Sequence, residues 1–292
     1  MTFREQPLVF DCEGASLLGI VSLPAAPYAR GVLIVVGGPQ YRAGSSRQFT
    51  LLARHLAQRG VAAMRFDYRG MGDSGGASRS FERVDADLRC AIEAFVKAVP
   101  TLKEIVIWGL CDAASAALLY AYQDRRVKAL VLLNPWVHTE QGEARAYLRH
   151  YYVERLLQAS FWRKVAAGEF KVRAALESLA RIAASAFRGG ASAPDGSQGA
   201  GTALEPAAAA ALPERMEAGL RRFEGAVLLV LSGNDLVAQE FRSLVDGSPR
   251  WRKLLATGRV SRRDLPDANH TFARREWRDQ VARWTEEWVR SY

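Results

Sequence analysis

The sequence predicts an α/β protein with an eight-stranded, mostly parallel sheet, flanking helices and a helical insertion. Three observations carry that expectation. Short runs rich in Val, Ile and Leu alternate with longer segments whose apolar residues recur every three or four positions. That alternation is the sequence form of a sheet covered by helices on both faces. It stops after Leu133 and resumes at Val227, which leaves room for an inserted domain.

The strands are expected at 7–10, 17–23, 31–36, 61–66, 104–108, 127–133, 227–231 and about 254–260. Helices are expected at 46–59, 81–99, 113–123, 237–246 and 272–290. In the second of these, Leu88, Ile92, Phe95, Val96 and Val99 fall on one face that can pack on a sheet. The domain division is then 1–136 with 223–292 as the core and 137–222 as a helical cap over the carboxyl edge of the sheet. Tyr147, Tyr151, Tyr152, Phe161, Trp162 and Phe170 give the cap an aromatic character. They are at helical spacing and serve mainly as core. Residues 188–212 are nearly all Ala, Gly, Ser and Pro, too poor in large apolar groups to offset the entropy of ordering, and are expected to be mobile.

Bulk properties exclude several classes. With 49% hydrophobic residues the chain can bury a large core, yet no apolar run reaches the roughly 18 residues of a membrane span. The charged start, Met1 to Gly14, does not read as a signal peptide, so a cytoplasmic protein without an integral membrane segment is expected. The cysteines Cys12, Cys90 and Cys111 form no CxxC pair and have no histidine at metal-ligand spacing. Neither a disulfide framework nor a metal site nor a cofactor is expected. A formal charge of +9 favours acidic partners, among them an acidic acyl carrier protein. The arginines are not interleaved with aromatics in a stripe, so nucleic acid is not an expected partner.

The chemistry is concentrated at three places. The run from Glu104 to Trp108 leads directly into Gly109, Leu110, Cys111, Asp112 and Ala113, and then into a helix of small residues. A strand, a sharp turn and a helix at this spacing present a nucleophile in a strained conformation, with Gly109 and Ala113 small enough for close approach. Cys111 stands at that point. The helix amino end favours its thiolate, where a free cysteine has a pKa of about 8.5. The alternative is a small buried hydrophobe.

A thiol nucleophile needs a base, and the base an orienting group. Of four histidines, His55 belongs to a charged helix and reads as solvated or satisfied, and His138 and His150 fall in the cap, where they could meet substrate. His270 lies in a turn-rich stretch, 265–272, between the last strand and the last helix. Asp235 follows the strand at 227–231 and can hold the imidazole, although an Asp there also caps a helix. Asp267 is a back-up acid. Donors for a developing oxyanion are expected from the Asp112 N–H and from the loop Gly37-Gly-Pro-Gln-Tyr41, where Pro39 has no N–H. Gly38 is the first choice there and Gln40 the second. The glycine-rich run Phe66 to Gly76 lacks the Lys-Ser/Thr ending of a phosphate loop and reads as a structural arch tied by Asp67 and Arg69.

Nucleophile, acid and histidine, each after its own strand, occur in the order of α/β-hydrolases. The stretches Asp67 to Ser74, Gly109 to Ala113, Ser232 to Asp235 and Asn269 to Phe272 resemble that superfamily in matching order, over nearly the whole chain. More narrowly, Gly37 to Arg42, Asn134 to His138 and Phe161 to Lys164 resemble hydrolase 1 of the bacterial exosortase A (PEP-CTERM) system. The resemblance implies an α/β-hydrolase fold and a bacterial setting. Cys111 replaces the usual serine, as in dienelactone hydrolases, and the histidine that commonly precedes the oxyanion loop is absent. The expected activity is cleavage of an ester, lactone or thioester, of a small-molecule or carrier-linked acyl substrate, through an acyl-cysteine intermediate. The alternatives are an acyltransferase using the same intermediate, as in polyhydroxyalkanoate synthases, or a catalytically retired binding protein.

Overall fold

The computed structural model describes residues 2–38, 40–137 and 210–291. By contacts the chain divides into one unit of 1–137 with 212–292 and another of 138–211. The expected cap, its aromatics, His138 and His150, and most of the low-complexity stretch lie outside the described residues.

The first unit holds strands β1 (Phe3–Cys12), β2 (Ala15–Pro24), β3 (Arg30–Val35), β4 (Ala62–Phe66), β5 (Glu104–Leu110), β6 (Val127–Leu133), β7 (Ala226–Asn234) and β8 (Val260–Asn269). Its α-helices are α1 (Gln48–Gln58), α2 (Asp85–Ala98), α3 (Asp112–Tyr120), α4 (Leu212–Arg222), α5 (Leu236–Gly247), α6 (Pro249–Leu255) and α7 (Arg275–Ser291). The eight strands form one sheet in the order β1-β2-β4-β3-β5-β6-β7-β8. β2 pairs antiparallel with both β1 and β4, and every other pairing is parallel. The α/β-hydrolase fold expected from the sequence is the fold observed.

Strand periodicity sorts the core into two layers. Leu33 and Val35 of β3 and Ile105 and Ile107 of β5 join the layer under α2, α3, α4, α5 and α6. Val32 and Ile34, with Val106, Trp108 and Leu110, join the layer under α1 and α7. In that second layer Phe49 meets Trp108 edge to face at 5.6 Å. Aromatic pairs favour this arrangement because a ring edge is positive and a ring face negative. The two layers clamp β5, and β5 leads into the turn at Cys111.

Two expectations need correction. Residues 254–259 are not a strand. Leu254 and Leu255 close α6, whose start is set by Ser248 as amino cap, with its Oγ accepting from the Trp251 N–H at 3.4 Å, and by Pro249 in the first turn. The last strand begins only at Val260 and runs through Pro266 to Asn269, so most of the stretch read as a loop is strand. Proline is tolerated there because β8 is an edge strand. The second correction concerns 212–222, which was assigned to the cap. It forms α4 in the same unit as the sheet and packs on α3 so closely that a Cβ on Gly219 would lie 2.1 Å from the Leu118 carbonyl oxygen.

Candidate active site

The elbow is set by backbone geometry. Cys111 adopts φ 62° and ψ −126°, a region that non-glycine residues rarely occupy and that costs about 1–3 kcal/mol. Its N–H donates to the Leu133 carbonyl at 2.9 Å, which extends the β5–β6 pairing up to the turn. Its carbonyl accepts from Ala114 at 3.0 Å and starts α3. Gly109 lets the helix fold back, since a Cβ there would stand 2.6 Å from the carbonyl carbon and oxygen of Ala113. The result is a half-buried thiol at the amino end of α3 and the carboxyl end of β5.

The acid and the histidine come from the neighbouring strand ends. Asp235 follows β7, and one of its carboxylate oxygens, Oδ2, lies 2.9 Å from His270 Nδ1. The same carboxylate caps α5, accepting from the N–H groups of Val237 and Ala238 at 3.2 Å each. Capping and orienting are therefore not alternatives, because one side chain does both. Asp267, the back-up acid, is exposed on β8. His270 is pushed up to about 10, first by its hydrogen bond to Asp235 and then by the Cys111 sulfur, which together favour the imidazolium more than partial burial disfavours it. The three side chains expected from the sequence thus meet at one sheet edge.

The other cysteines are placed differently. Cys12 is fully buried, with its thiol pushed up to about 12 by burial and by the Cys90 thiol beside it, which suppresses the nucleophilic thiolate. His55 lies on α1, with its pKa lowered first by burial and then by Arg59. Among the described residues no group of three or more His, Cys, Asp or Glu is arranged to hold a metal ion.

The expected oxyanion donors are placed differently. The Gly38 N–H donates to both carboxylate oxygens of Asp112, at 2.9 and 2.8 Å. The Ala113 N–H donates to the same group at 2.9 Å. Gly37 must be glycine because a Cβ would fall 2.2 Å from Asp112 Oδ1. The Gln40 N–H is turned away, donating to the Gly38 carbonyl at 2.8 Å, while its side-chain oxygen accepts from the Ser45 N–H at 2.9 Å. Gln40 is thus engaged within its own loop, and Gly38 points at the Asp112 carboxylate.

Two supports were not singled out from the sequence. Asn134, fully buried at the end of β6 with φ 43°, donates from Nδ2 to Ser232 Oγ at 2.8 Å and to the His270 carbonyl at 3.1 Å. Its Oδ1 accepts from the Ser232 N–H at 2.9 Å. One amide therefore ties the ends of β6 and β7 to the histidine. Its sequence signal is an Asn directly after an apolar strand, a position where a buried amide must find partners. The second is Arg42, whose guanidinium and N–H both bond Asp67, a fully buried carboxylate that also accepts from the Asp73 N–H at 3.2 Å. Arg69 is bound by Asp87 and Glu13. The glycine-rich run is held as an arch by these ion pairs, as its sequence suggests.

A strand-borne elbow after β5, with an acid after β7 and a histidine after β8, is the arrangement of an α/β-hydrolase site. The chain belongs to the hydrolase family described as serine aminopeptidase, S33, which matches residues 28–243. Here the elbow carries Cys111. Among curated proteins, an uncharacterized protein of Pseudomonas aeruginosa is 33% identical over 103 residues, which cover 34% of this chain and 27% of that protein. The match therefore spans about a quarter of that relative's length. An esterase from Pyrococcus furiosus superposes with a TM-score of 0.64 at 14% identity, over 99% of this chain and 92% of its own. A dienelactone hydrolase from Anabaena variabilis gives 0.58 at 15% identity, over 99% and 98%. The esterase Est1E of Butyrivibrio proteoclasticus, in its complex with ferulic acid, gives 0.58 at 14% identity, over 97% of each chain. At these identities the likeness is one of fold. Among the described residues no helix is long and apolar enough to cross a membrane.

Proposed function

We propose that the protein hydrolyses an ester or thioester through an acyl-cysteine intermediate, with Cys111 as nucleophile, His270 as acid and base, and Asp235 as the group that orients and charges the imidazole. The observation that carries this reading is the strained elbow that presents Cys111 at the carboxyl end of β5 together with an imidazole held at 2.9 Å by the Asp235 carboxylate. Membership of a hydrolase family and the folds of the two esterases and the dienelactone hydrolase support it. The motif resemblance to hydrolase 1 of the exosortase A system is compatible with the same chemistry.

The Cys111 thiolate adds to the carbonyl carbon, the bond to the leaving oxygen or sulfur breaks, and the His270 imidazolium donates its proton to that leaving group. Neutral His270 then takes a proton from water. The resulting hydroxide adds to the acyl thioester, the carbon–sulfur bond breaks, and free acid and thiolate are released. An imidazolium held by Asp235 suits the first half, because it carries the proton that the leaving group needs.

Intact-protein mass spectrometry after brief exposure to acyl esters and thioesters tests the reading, with Cys111→Ala and His270→Ala alongside. The expected result is an acyl mass on the parent that is absent from Cys111→Ala and clears slowly from acylated His270→Ala. An acyl mass that persists in Cys111→Ala, or turnover that survives it, would overturn the assignment.

A further inference from the structure

The carboxylate of Asp112 lies where an acyl oxygen has to go. In acyl transfer the N–H groups that stabilise the tetrahedral intermediate must point at the position of its oxyanion, 2.7–3.1 Å away. The Gly38 N–H, the expected donor from the loop, is engaged by both oxygens of the Asp112 side chain, and the Ala113 N–H at the start of α3 by one of them. The position is built for this group rather than reached by chance. Gly37 and Gly38 precede α1 in a loop whose conformation leaves room for the carboxylate, and any side chain at Gly37 would collide with it. Two like charges cannot share the seat, so an oxyanion forms there only after the carboxylate has left.

Among the described residues, few groups act on Asp112. They are His270 from the β8 end, Tyr68 from the loop after β4, and the N–H groups of Gly38 and Ala113. Burial raises its pKa, and the N–H groups and His270 oppose that rise. Leaving the seat costs the carboxylate its hydrogen bonds unless something else supplies them. A neutral acyl chain supplies none, whereas an ammonium or hydroxyl beside the carbonyl carbon supplies one or more.

We infer that Asp112 is a specificity-determining residue, excluding simple acyl groups from the oxyanion seat and admitting substrates that carry a cationic or hydrogen-bond-donating group next to the scissile carbonyl. In the exchange the carboxylate moves to the substrate's donor, and the N–H groups it releases receive the oxyanion. Discrimination then comes from a repulsive element that only the right substrate relieves. The inference rests on Cys111 being the nucleophile that is acylated.

The test is the rate of Cys111 acylation by glycyl and acetyl 4-nitrophenyl esters, each divided by its rate with free cysteine, for the parent, Asp112→Ala and Asp112→Asn. The glycyl-to-acetyl ratio cancels any general change in thiol reactivity, and a thermal melt shows that each variant is folded. The expected result is a glycyl preference of about tenfold or more in the parent, lost in Asp112→Ala because the acetyl ester gains on the order of 10²-fold, the effect of one oxyanion donor. Asp112→Asn, which keeps an acceptor but no charge, gains less with acetyl and loses part of the preference. Equal preference in the parent and Asp112→Ala overturns the role of Asp112 and leaves the Cys111 reading standing. No adduct on any folded form overturns both.

Discussion

The Asp235 carboxylate holds His270 Nδ1 at 2.9 Å and at the same time caps α5 through the N–H groups of Val237 and Ala238. Two substitutions separate these tasks. Asp235→Asn keeps a good cap but removes the charge that supports the imidazolium, whereas Asp235→Ala removes both. Asp235→Asn is expected to leave thermal stability nearly unchanged at neutral pH apart from the lost charge contact, and to lower Cys111 alkylation by iodoacetamide at pH 6 roughly tenfold. Asp235→Ala is expected to show the same loss of alkylation and a further destabilisation of about 1 kcal/mol from the missing cap. Thermal melts and alkylation rates on both variants check this. Equal melting temperatures for the two would mean that the cap contributes nothing.

His270 gives the fold a pH dependence whose sign follows from its pKa, pushed up to about 10 from an ordinary value of 6.5. The folded protein holds the proton more tightly than the unfolded chain does. The resulting stabilisation is fully present below about pH 6.5 and is lost as pH rises through 10. The measurement is the difference in melting temperature between the parent and His270→Gln, which should be largest at pH 6 and close by about pH 10.5. A difference that widened with pH would contradict the ion pair.

Much of this site is legible in the sequence because it is written in backbone punctuation. Gly109, Cys111 and the small residues of α3 announce the elbow, and Asp235 and His270 stand just past strand ends. What escapes is the edge of the sheet. β8 faces solvent along much of its length and is rich in charge, as in Arg262, Arg263 and Asp264, so it lacks the apolar run that marks a central strand. Leu254 and Leu255, which do look apolar enough, belong to a helix that packs under the sheet. β1 is similarly underestimated at 7–10, because its exposed face hides a strand that reaches Cys12 and turns through Glu13 and Gly14, both at positive φ. The contact between the Gly38 N–H and the Asp112 carboxylate is invisible to pattern reading, since the sequence says which N–H groups are available but not what they bind.

Asn134 is a positioning residue rather than a catalytic one, and Asn134→Ala tests it. The substitution leaves the buried N–H and Oγ of Ser232 without their partner and frees the His270 carbonyl. Each buried group left without a partner costs about 1–3 kcal/mol. The expected outcome is a loss of stability of about 2–4 kcal/mol together with slower acylation of Cys111, while alkylation by the small reagent iodoacetamide changes less. A purely structural role would lower the melting temperature and leave acylation of the remaining folded enzyme untouched.

The loop that carries Gly38 depends on an ion pair remote from the chemistry. Asp67 is fully buried and accepts from the N–H and guanidinium of Arg42, four residues after Gly38, and from the Asp73 N–H in the arch. It also lies so close to Gly72 that a Cβ there would be 2.4 Å from its carboxylate. Removing one partner of a buried pair costs about 3–5 kcal/mol, because the other charge stays buried alone. Arg42 is 13% exposed at its side chain, so part of that penalty is relieved by solvent and by Asp73. Asp67→Ala is therefore expected to destabilise by about 3 kcal/mol and to slow acylation of Cys111 in the fraction that remains folded, since Gly38 is no longer held over the elbow. Asp67→Asn keeps an acceptor for the two N–H groups and should retain more of both. If Asp67→Ala lowered stability but left acylation of the folded enzyme unchanged, the Gly38 loop would be held by its contacts with α1 and the elbow, and not by the arch.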